Sequence, residues 1–224
     1  ATWAAHQHFH ETWEGRLTNE VAAMQAASPS LIIADTPYLA IEAGSLAQIP
    51  TVALANFTWD LVLKEYCHAS NHSHQRLIEH IRGCYAKVDM ALRITPAPSI
   101  DAFSSMIDIG PIADPAFPER NRLASALALA SDERIVLVGF GGIPLTSLPL
   151  KQMEQLRPYR FLIDGPIPSG YSRIHSTKTL PFSFKTLLAS VDVIMTKPGY
   201  GTVVEAVALQ QPIVYVRRFN FADE

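Results

Sequence analysis

Cysteine is almost absent: Cys67 and Cys84 are the only two among 224 residues. Two cysteines in a chain this long make no disulfide framework and match no zinc-ligand spacing. They read as reduced thiols, which points to a cytoplasmic protein. Charge is sparse too, at 17% of residues with a net of −3. That balance gives no electrostatic reason to expect nucleic acid as a partner, so any phosphate on a substrate has to be met by local groups. No apolar run reaches the ~18 residues that a bilayer-crossing helix needs. No basic stretch followed by an apolar one opens the chain as a secretion signal would. Repeats and low-complexity segments are lacking as well. The sequence opens on Ala1 and stops at Glu224 just after a strong strand, a pattern expected of a piece of a longer protein.

What is plentiful is apolar side chain, 48% of residues, enough for a sizeable core. It is distributed as short strands alternating with amphipathic helices. Residues 3–27 read as one helix, ended by Ser28-Pro29. Leu31–Ala34 is too short for a helix and reads as a buried parallel strand. Asp35-Thr36-Pro37 then opens a helix, with Asp or Thr suited to its N-cap, and Ile49-Pro50 leads into a strand over Thr51–Ala55. Residues 61–86 read as helix, followed by a strand within Ala86–Thr95. Pro96, Pro98, Pro111, Pro115 and Pro118 crowd a stretch of low periodicity read as a linker. A second alternation follows, with strands at Ile135–Val138, Tyr159–Ile163, Val193–Thr196 and Ile213–Val216. Helices are expected at Lys151–Leu156, Phe184–Ser190 and Gly201–Leu209. Two parallel-sheet units joined by a proline-rich linker imply an α/β fold of two Rossmann-like domains facing a cleft.

The sharpest segment for chemistry is Thr196-Lys197-Pro198-Gly199-Tyr200-Gly201-Thr202-Val203-Val204-Glu205. It leaves a strand and opens a helix. Glycines there let backbone approach a phosphate, and the exposed N–H groups and helix dipole favour an anion. Thr202 can add a hydroxyl and Lys197 a cation. Glu205 lies one turn further on, where a carboxylate can accept two bonds from a ribose diol; it reads equally as an exposed helix-face residue. Gly139-Phe140-Gly141-Gly142 follows a strand in the same way. It is not the dinucleotide fingerprint, because Pro144 stands where G-x-G-x-x-G needs its third glycine.

Asp192–Glu224 resembles the C-terminal signature of the GT-B glycosyltransferases. That signature runs from a strand through His-x-Gly-x-Asn-Ser/Thr-x-x-Glu and Gly-x-Pro to a strand and an acidic-Gln pair. Here Lys197, Gly199, Gly201, Thr202 and Glu205 keep the register, followed by Pro212 and by Asp223-Glu224. Four positions depart: Lys197 for His, Gly201 for Asn, Gln211 for Gly, and Glu224 for Gln. The Lys-Pro-Gly-Tyr-Gly form is most similar to a bacterial subgroup related to the glycosyltransferase-like part of L-arabinokinases. The transferase that builds the lipid-linked peptidoglycan precursor carries the same general signature. The resemblance implies a nucleoside-diphosphate sugar as co-substrate, with UDP the commonest nucleotide, and no tightly bound cofactor. Lys197, Gly199, Tyr200, Gly201 and Thr202 would face the diphosphate, as would the loop at Gly141 and Gly142. Glu205 would face the ribose, and Asp223 and Glu224 the donor sugar. Phe182, in Leu180-Pro181-Phe182-Ser183, stands where the family's loop holds the nucleobase; a plain core phenylalanine is the alternative.

Leu31–Trp59 resembles the second half of the family's acceptor domain, with Asn56 and Trp59 on the acceptor side. Asp35 matches the aspartate that orients a histidine base in inverting members; the alternative is a helix N-cap. That histidine has no counterpart in the sequence. Residues 1–110 are therefore expected to be an incomplete acceptor-side domain, and 111–224 a donor-binding domain truncated at its C-terminal end. The cleft would be bordered by Asp35, Asn56, Gly141, Gly199 and Glu205. His6, His8 and His10, and His68, His72, His74 and His80, cluster at helical spacing. They lack HExxH and read as solvated helix faces rather than a metal site. The expected activity is transfer of a sugar to an acceptor hydroxyl, with inversion. The alternatives are a non-catalytic nucleotide-sugar-binding module and a nucleotide-sugar 2-epimerase.

Overall fold

A computed structural model describes residues 2–67, 71–140 and 148–215. They fall into two compact units, one up to Pro111 and one from Ile112 on.

The first unit contains α1 (Thr2–Glu11), α2 (Trp13–Ala27), β1 (Ile32–Ala34), α3 (Tyr38–Leu46), β2 (Thr51–Ala55), α4 (Trp59–Lys64), α5 (His72–Tyr85), β3 (Met90–Ile94) and β4 (Met106–Ile109). The strands form one parallel sheet in the order β1-β2-β3-β4. Right-handed crossovers between strands laid down in one direction put their helices on one face. On that face Ala34, Ala53 and Ala91 stand in register, buried against Leu17, Ile41, Ile81 and Tyr85. Alternation sends Ile33 to the other face, where it is 66% exposed, as is Ile107 at 52%.

The second unit contains α6 (Arg120–Ala126), β5 (Arg134–Gly139), α7 (Leu150–Gln155), β6 (Tyr159–Ile163), β7 (Ile174–Ser176), α8 (Phe184–Ser190), β8 (Val193–Thr196), α9 (Tyr200–Ala208) and β9 (Ile213–Tyr215). Its parallel sheet runs β7-β6-β5-β8-β9. The chain works outward from β5 in one direction, then returns and works outward in the other. Helices therefore cover both faces, and two apolar clusters result. One joins Ile135, Leu137, Leu162 and Ile194 to Leu123, Leu187, Leu188 and Ala206. The other joins Val136, Val138, Phe161 and Ile163 to Met153.

Several expectations need correction. The first helix is two, divided at Thr12, and the long helix over 61–86 is likewise two, α4 and α5. The stretch read as linker contains β4, an edge strand bonded only to β3. The histidine-rich helix faces are not solvated throughout. His74 is 8% exposed, its ring tilted by 42° to that of Trp3 with the centroids 3.8 Å apart. His6 and His10 are half-buried, each 3.0 Å from the Tyr38 hydroxyl. His68 lies outside the described residues.

Candidate nucleotide site

In an open α/β sheet, ligands bind beyond the C-terminal strand ends where the strand order reverses. In the second unit that point lies between β5 and β8. Their last residues, Gly139 and Thr196, are register partners. A Cβ at Gly139 would fall 2.9 Å from Cε2 of Phe184. Its ring thus packs against the end of β5. Gly141 and Gly142 lie outside the described residues, as do Asp223 and Glu224.

From β8 the chain runs through Lys197 and Pro198 to Gly199, whose N–H donates to the Lys197 carbonyl at 2.8 Å. Gly199 is the N-cap of α9 and makes no side-chain cap. A helix leaves its first N–H groups without intrahelical acceptors. In α9, Val203 N donates to Gly199 O at 3.1 Å, so the N–H groups of the turn before it point out of the helix end. Gly201, exposed in that turn, has nothing within 4 Å of an added Cβ. Thr202 follows, half-buried. The Tyr200 hydroxyl accepts from Ile112 N at 3.4 Å, so it faces the opening segment of the unit as well as the helix start. Among the described residues Lys197 has no carboxylate partner.

Glu205 is not an exposed helix-face residue. Its side chain is 15% exposed, and Oε1 lies 3.2 Å from Nζ of Lys185. The same Nζ lies 3.1 Å from Oδ2 of Asp114 and 3.0 Å from the Asp114 carbonyl. The Asp114 bond, then that to Glu205, raises the Lys185 pKa above its ordinary value. Neither Lys185 nor Asp114 was singled out by sequence. They are separated by 71 positions, and such a pairing leaves no local pattern.

Beside the switch point lies a cavity of about 480 Å³, lined by Gly139, Phe140, Thr177, Phe182, Phe184 and Leu187 among others. Phe182 is half-buried. It packs against one apolar cluster, carries the Arg122 guanidinium 4.9 Å above its ring, and lines the cavity.

In the first unit, Asp35 is exposed beyond β1. It does not cap α3, whose N-cap is Pro37 with no side-chain cap bond; the chain turns into the helix two residues later than a cap at Asp35 requires. Asn56 follows β2 and Trp59 begins α4. Fully buried Tyr85 ties these loops together: its hydroxyl donates to Thr36 O at 2.8 Å and accepts from Trp59 N at 3.3 Å. Burial raises its pKa. Trp59 also lines an apolar pocket of about 290 Å³ with His6, Phe9, Pro37, Tyr38 and Leu39. Among the described residues no cluster of three or more histidine, cysteine or carboxylate side chains is placed to hold a metal, and no helix is long and apolar enough to cross a membrane.

No protein-family model matches the sequence. It is 26% identical over 213 residues to L-arabinokinase of Arabidopsis thaliana, a match covering 93% of this chain and 20% of that protein. Among solved structures, the chain is similar to the glycosyltransferase of kitacinnamycin, with a TM-score of 0.63 at 17% identity, covering 97% of this chain and 65% of that one. It is also similar to Phytolacca americana UGT2 complexed with UDP-2-fluoro-glucose and pterostilbene, with a TM-score of 0.60 at 12% identity over 93% and 62%. A putative UDP-N-acetylglucosamine 2-epimerase of Listeria monocytogenes matches with a TM-score of 0.56 at 14% identity over 92% and 62%. The chain thus spans a fifth of the curated relative and under two thirds of these solved chains. Its fold is that of the GT-B glycosyltransferases.

Proposed function

We propose that the second unit binds a nucleoside-diphosphate sugar, UDP-linked, and that the protein transfers the sugar to an acceptor hydroxyl with inversion. The observation that carries this reading is the convergence, at the β5–β8 switch point, of the α9 helix start, an unexplained glycine at 201 and a half-sheltered carboxylate at 205. The diphosphate would lie on the N–H groups at Gly201 and Thr202, with Lys197 adding a cation. Glu205 would accept from the ribose hydroxyls, and the cavity beside Phe182 and Phe184 would take the base.

In transfer, the acceptor oxygen forms a bond to the anomeric carbon as the bond from that carbon to the diphosphate oxygen breaks. The acceptor proton would pass to a histidine base that Asp35 would orient and that this sequence does not contain, and the electron pair of the broken bond stays on the diphosphate, which leaves with one more negative charge than it carried in the donor. Preorganised donors aimed at that charge are the main catalytic resource available to the site. The match covers only 20% of the plant relative, so the kinase activity in that relative's name is not carried over to this segment. The structural likeness to an epimerase keeps 2-epimerisation as the second reading. The two differ in product: transfer needs a hydroxyl acceptor, and epimerisation does not.

The test is calorimetric titration with UDP. Charge-assisted hydrogen bonds contribute about 1.5–3 kcal/mol each, so Glu205→Ala is expected to weaken UDP binding at least roughly tenfold. Equal affinity in the variant would remove Glu205 from the site.

A further inference from the structure

A carboxylate beside a diphosphate is an electrostatic conflict: the group that reads the ribose repels the phosphates next to it. In this protein the conflict is answered from α8. We propose that Lys185 is the positioning residue of the nucleotide site, holding Glu205 by one oxygen and cancelling its charge so that the other oxygen reads the ribose hydroxyls; this rests on the nucleotide-sugar reading above.

The hydrogen-bond inventory assigns the role. A lysine ammonium has three donors and no acceptor. Nζ of Lys185 has three acceptors in reach: Glu205 Oε1 at 3.2 Å, Asp114 Oδ2 at 3.1 Å and the Asp114 carbonyl at 3.0 Å. No donor remains for a phosphate, so Lys185 is not itself a phosphate ligand. Its bond to Glu205 occupies Oε1 alone. Among the described residues Oε2 has no protein partner, and it is this oxygen that is left for a ligand.

The backbone that carries Lys185 is anchored, although its side chain is 45% exposed. It is the second residue of α8. Ser183 caps that helix, accepting from Thr186 N at 3.1 Å. Phe184 is packed on Gly139 at the end of β5, and Leu187 and Leu188 are each 1% exposed in the core. Glu205 is held from its own side by Val204 and Ala206, both buried. The ammonium therefore meets the carboxylate between two anchored helices. Its bonds to Asp114 and Glu205 raise its pKa, so the ammonium is charged at neutral pH.

A purely structural lysine, tying Asp114 to α8, would make a different prediction, and ribose discrimination separates the two. UDP and 2′,3′-dideoxy-UDP are titrated into the unsubstituted protein, Lys185→Met and Lys185→Arg, with thermal unfolding of each recorded in parallel. The unsubstituted protein is expected to prefer UDP at least about tenfold, with Lys185→Met bringing the ratio within about threefold and Lys185→Arg retaining most of it. If Lys185→Met lowers the unfolding temperature yet keeps the full preference for UDP, the positioning role is overturned and the nucleotide reading stands. If the unsubstituted protein binds neither nucleotide, or does not distinguish them, the reading of Glu205 falls and this inference with it.

Discussion

Gly201 is in the first turn of a helix with no visible reason to be glycine. Its backbone is helical, and nothing lies within 4 Å of where a Cβ would stand. Glycine in a helix is disfavoured by roughly 0.5–1 kcal/mol relative to alanine, so alanine would favour folding here. The space is explained if a ligand's phosphate occupies it. Gly201→Ala should therefore raise the unfolding free energy by about 0.5 kcal/mol while weakening UDP at least about tenfold. Opposite signs in denaturant titration and calorimetry would support the phosphate site; an unchanged UDP affinity would dismiss it. This glycine, Lys197 and Glu205 are legible in sequence because strand, turn and helix start are contiguous there. Lys185 and Tyr85 are not, since each acts on residues far along the chain: Lys185 on Asp114, Tyr85 on Thr36.

The β-α units could be read because a buried parallel strand leaves an uninterrupted apolar run. Edge strands leave less: β4 carries Asp108 within four residues and β7 has only three, Ile174–Ser176. α6, of seven residues, buries only Leu123, too little for a periodic signal. One device at this scale recurs in both units. Val88-Asp89 precedes β3 and Val191-Asp192 precedes β8. Asp89 Oδ2 accepts from Thr51 N at 2.8 Å at the start of β2, and Asp192 Oδ2 accepts from Ile135 N at 2.7 Å near the start of β5. Each aspartate's own N–H returns a bond to the same residue, Asp89 to Thr51 O at 3.1 Å and Asp192 to Ile135 O at 3.0 Å. The carboxylates thus lock the register of adjacent strands. Asp89→Ala or Asp192→Ala leaves a strand N–H without its partner and is expected to cost about 1–3 kcal/mol. Asp192→Ala should cost more, because Arg120 also pairs with that carboxylate at 2.8 Å. Urea unfolding of the two variants measures both; a change under about 0.5 kcal/mol in either would place it with ordinary surface substitutions.

At the scale of the whole molecule, the alternation of strands and helices announces parallel sheets, but strand order is set by packing that no local pattern encodes. The second sheet reverses direction and is covered on both faces, whereas the first does not reverse. Each core also holds titrating groups that set its response to acid. In the first unit His10 stacks on Trp13, bonds the Tyr38 hydroxyl and meets His80 edge-on. Burial, then the nearby His80 and His6, pull its pKa from 6.5 down to about 4. The folded state thus binds this proton more weakly than the unfolded chain does. The stability associated with neutral His10 is whole above pH 6.5 and is lost as pH falls toward 4. In the second unit Glu133, 7% exposed, accepts from Arg160 at 3.0 Å, Ala130 N at 3.0 Å and Arg173 at 2.8 Å. Arg160 first, then the Ala130 N–H, pull its carboxyl from 4.5 to about 2. Its contribution is present above pH 4.5 and is lost only as pH falls from there toward 2. Burial, then Arg160, also lowers the pKa of His175 in the second unit, so both units are expected to lose histidine-linked stability as pH falls below 6.5, the first through His10 and the second through His175. All three tryptophans, Trp3, Trp13 and Trp59, lie in the first unit, so their emission reports on it alone. Urea midpoints followed by tryptophan emission should fall between pH 6.5 and 4. His10→Gln can still bond Tyr38 but cannot take up the proton, and it should flatten the tryptophan-detected fall. Glu133→Gln should leave that fall intact and remove the loss below pH 4.5. An unchanged pH profile in His10→Gln would locate the acid sensitivity of the first unit elsewhere.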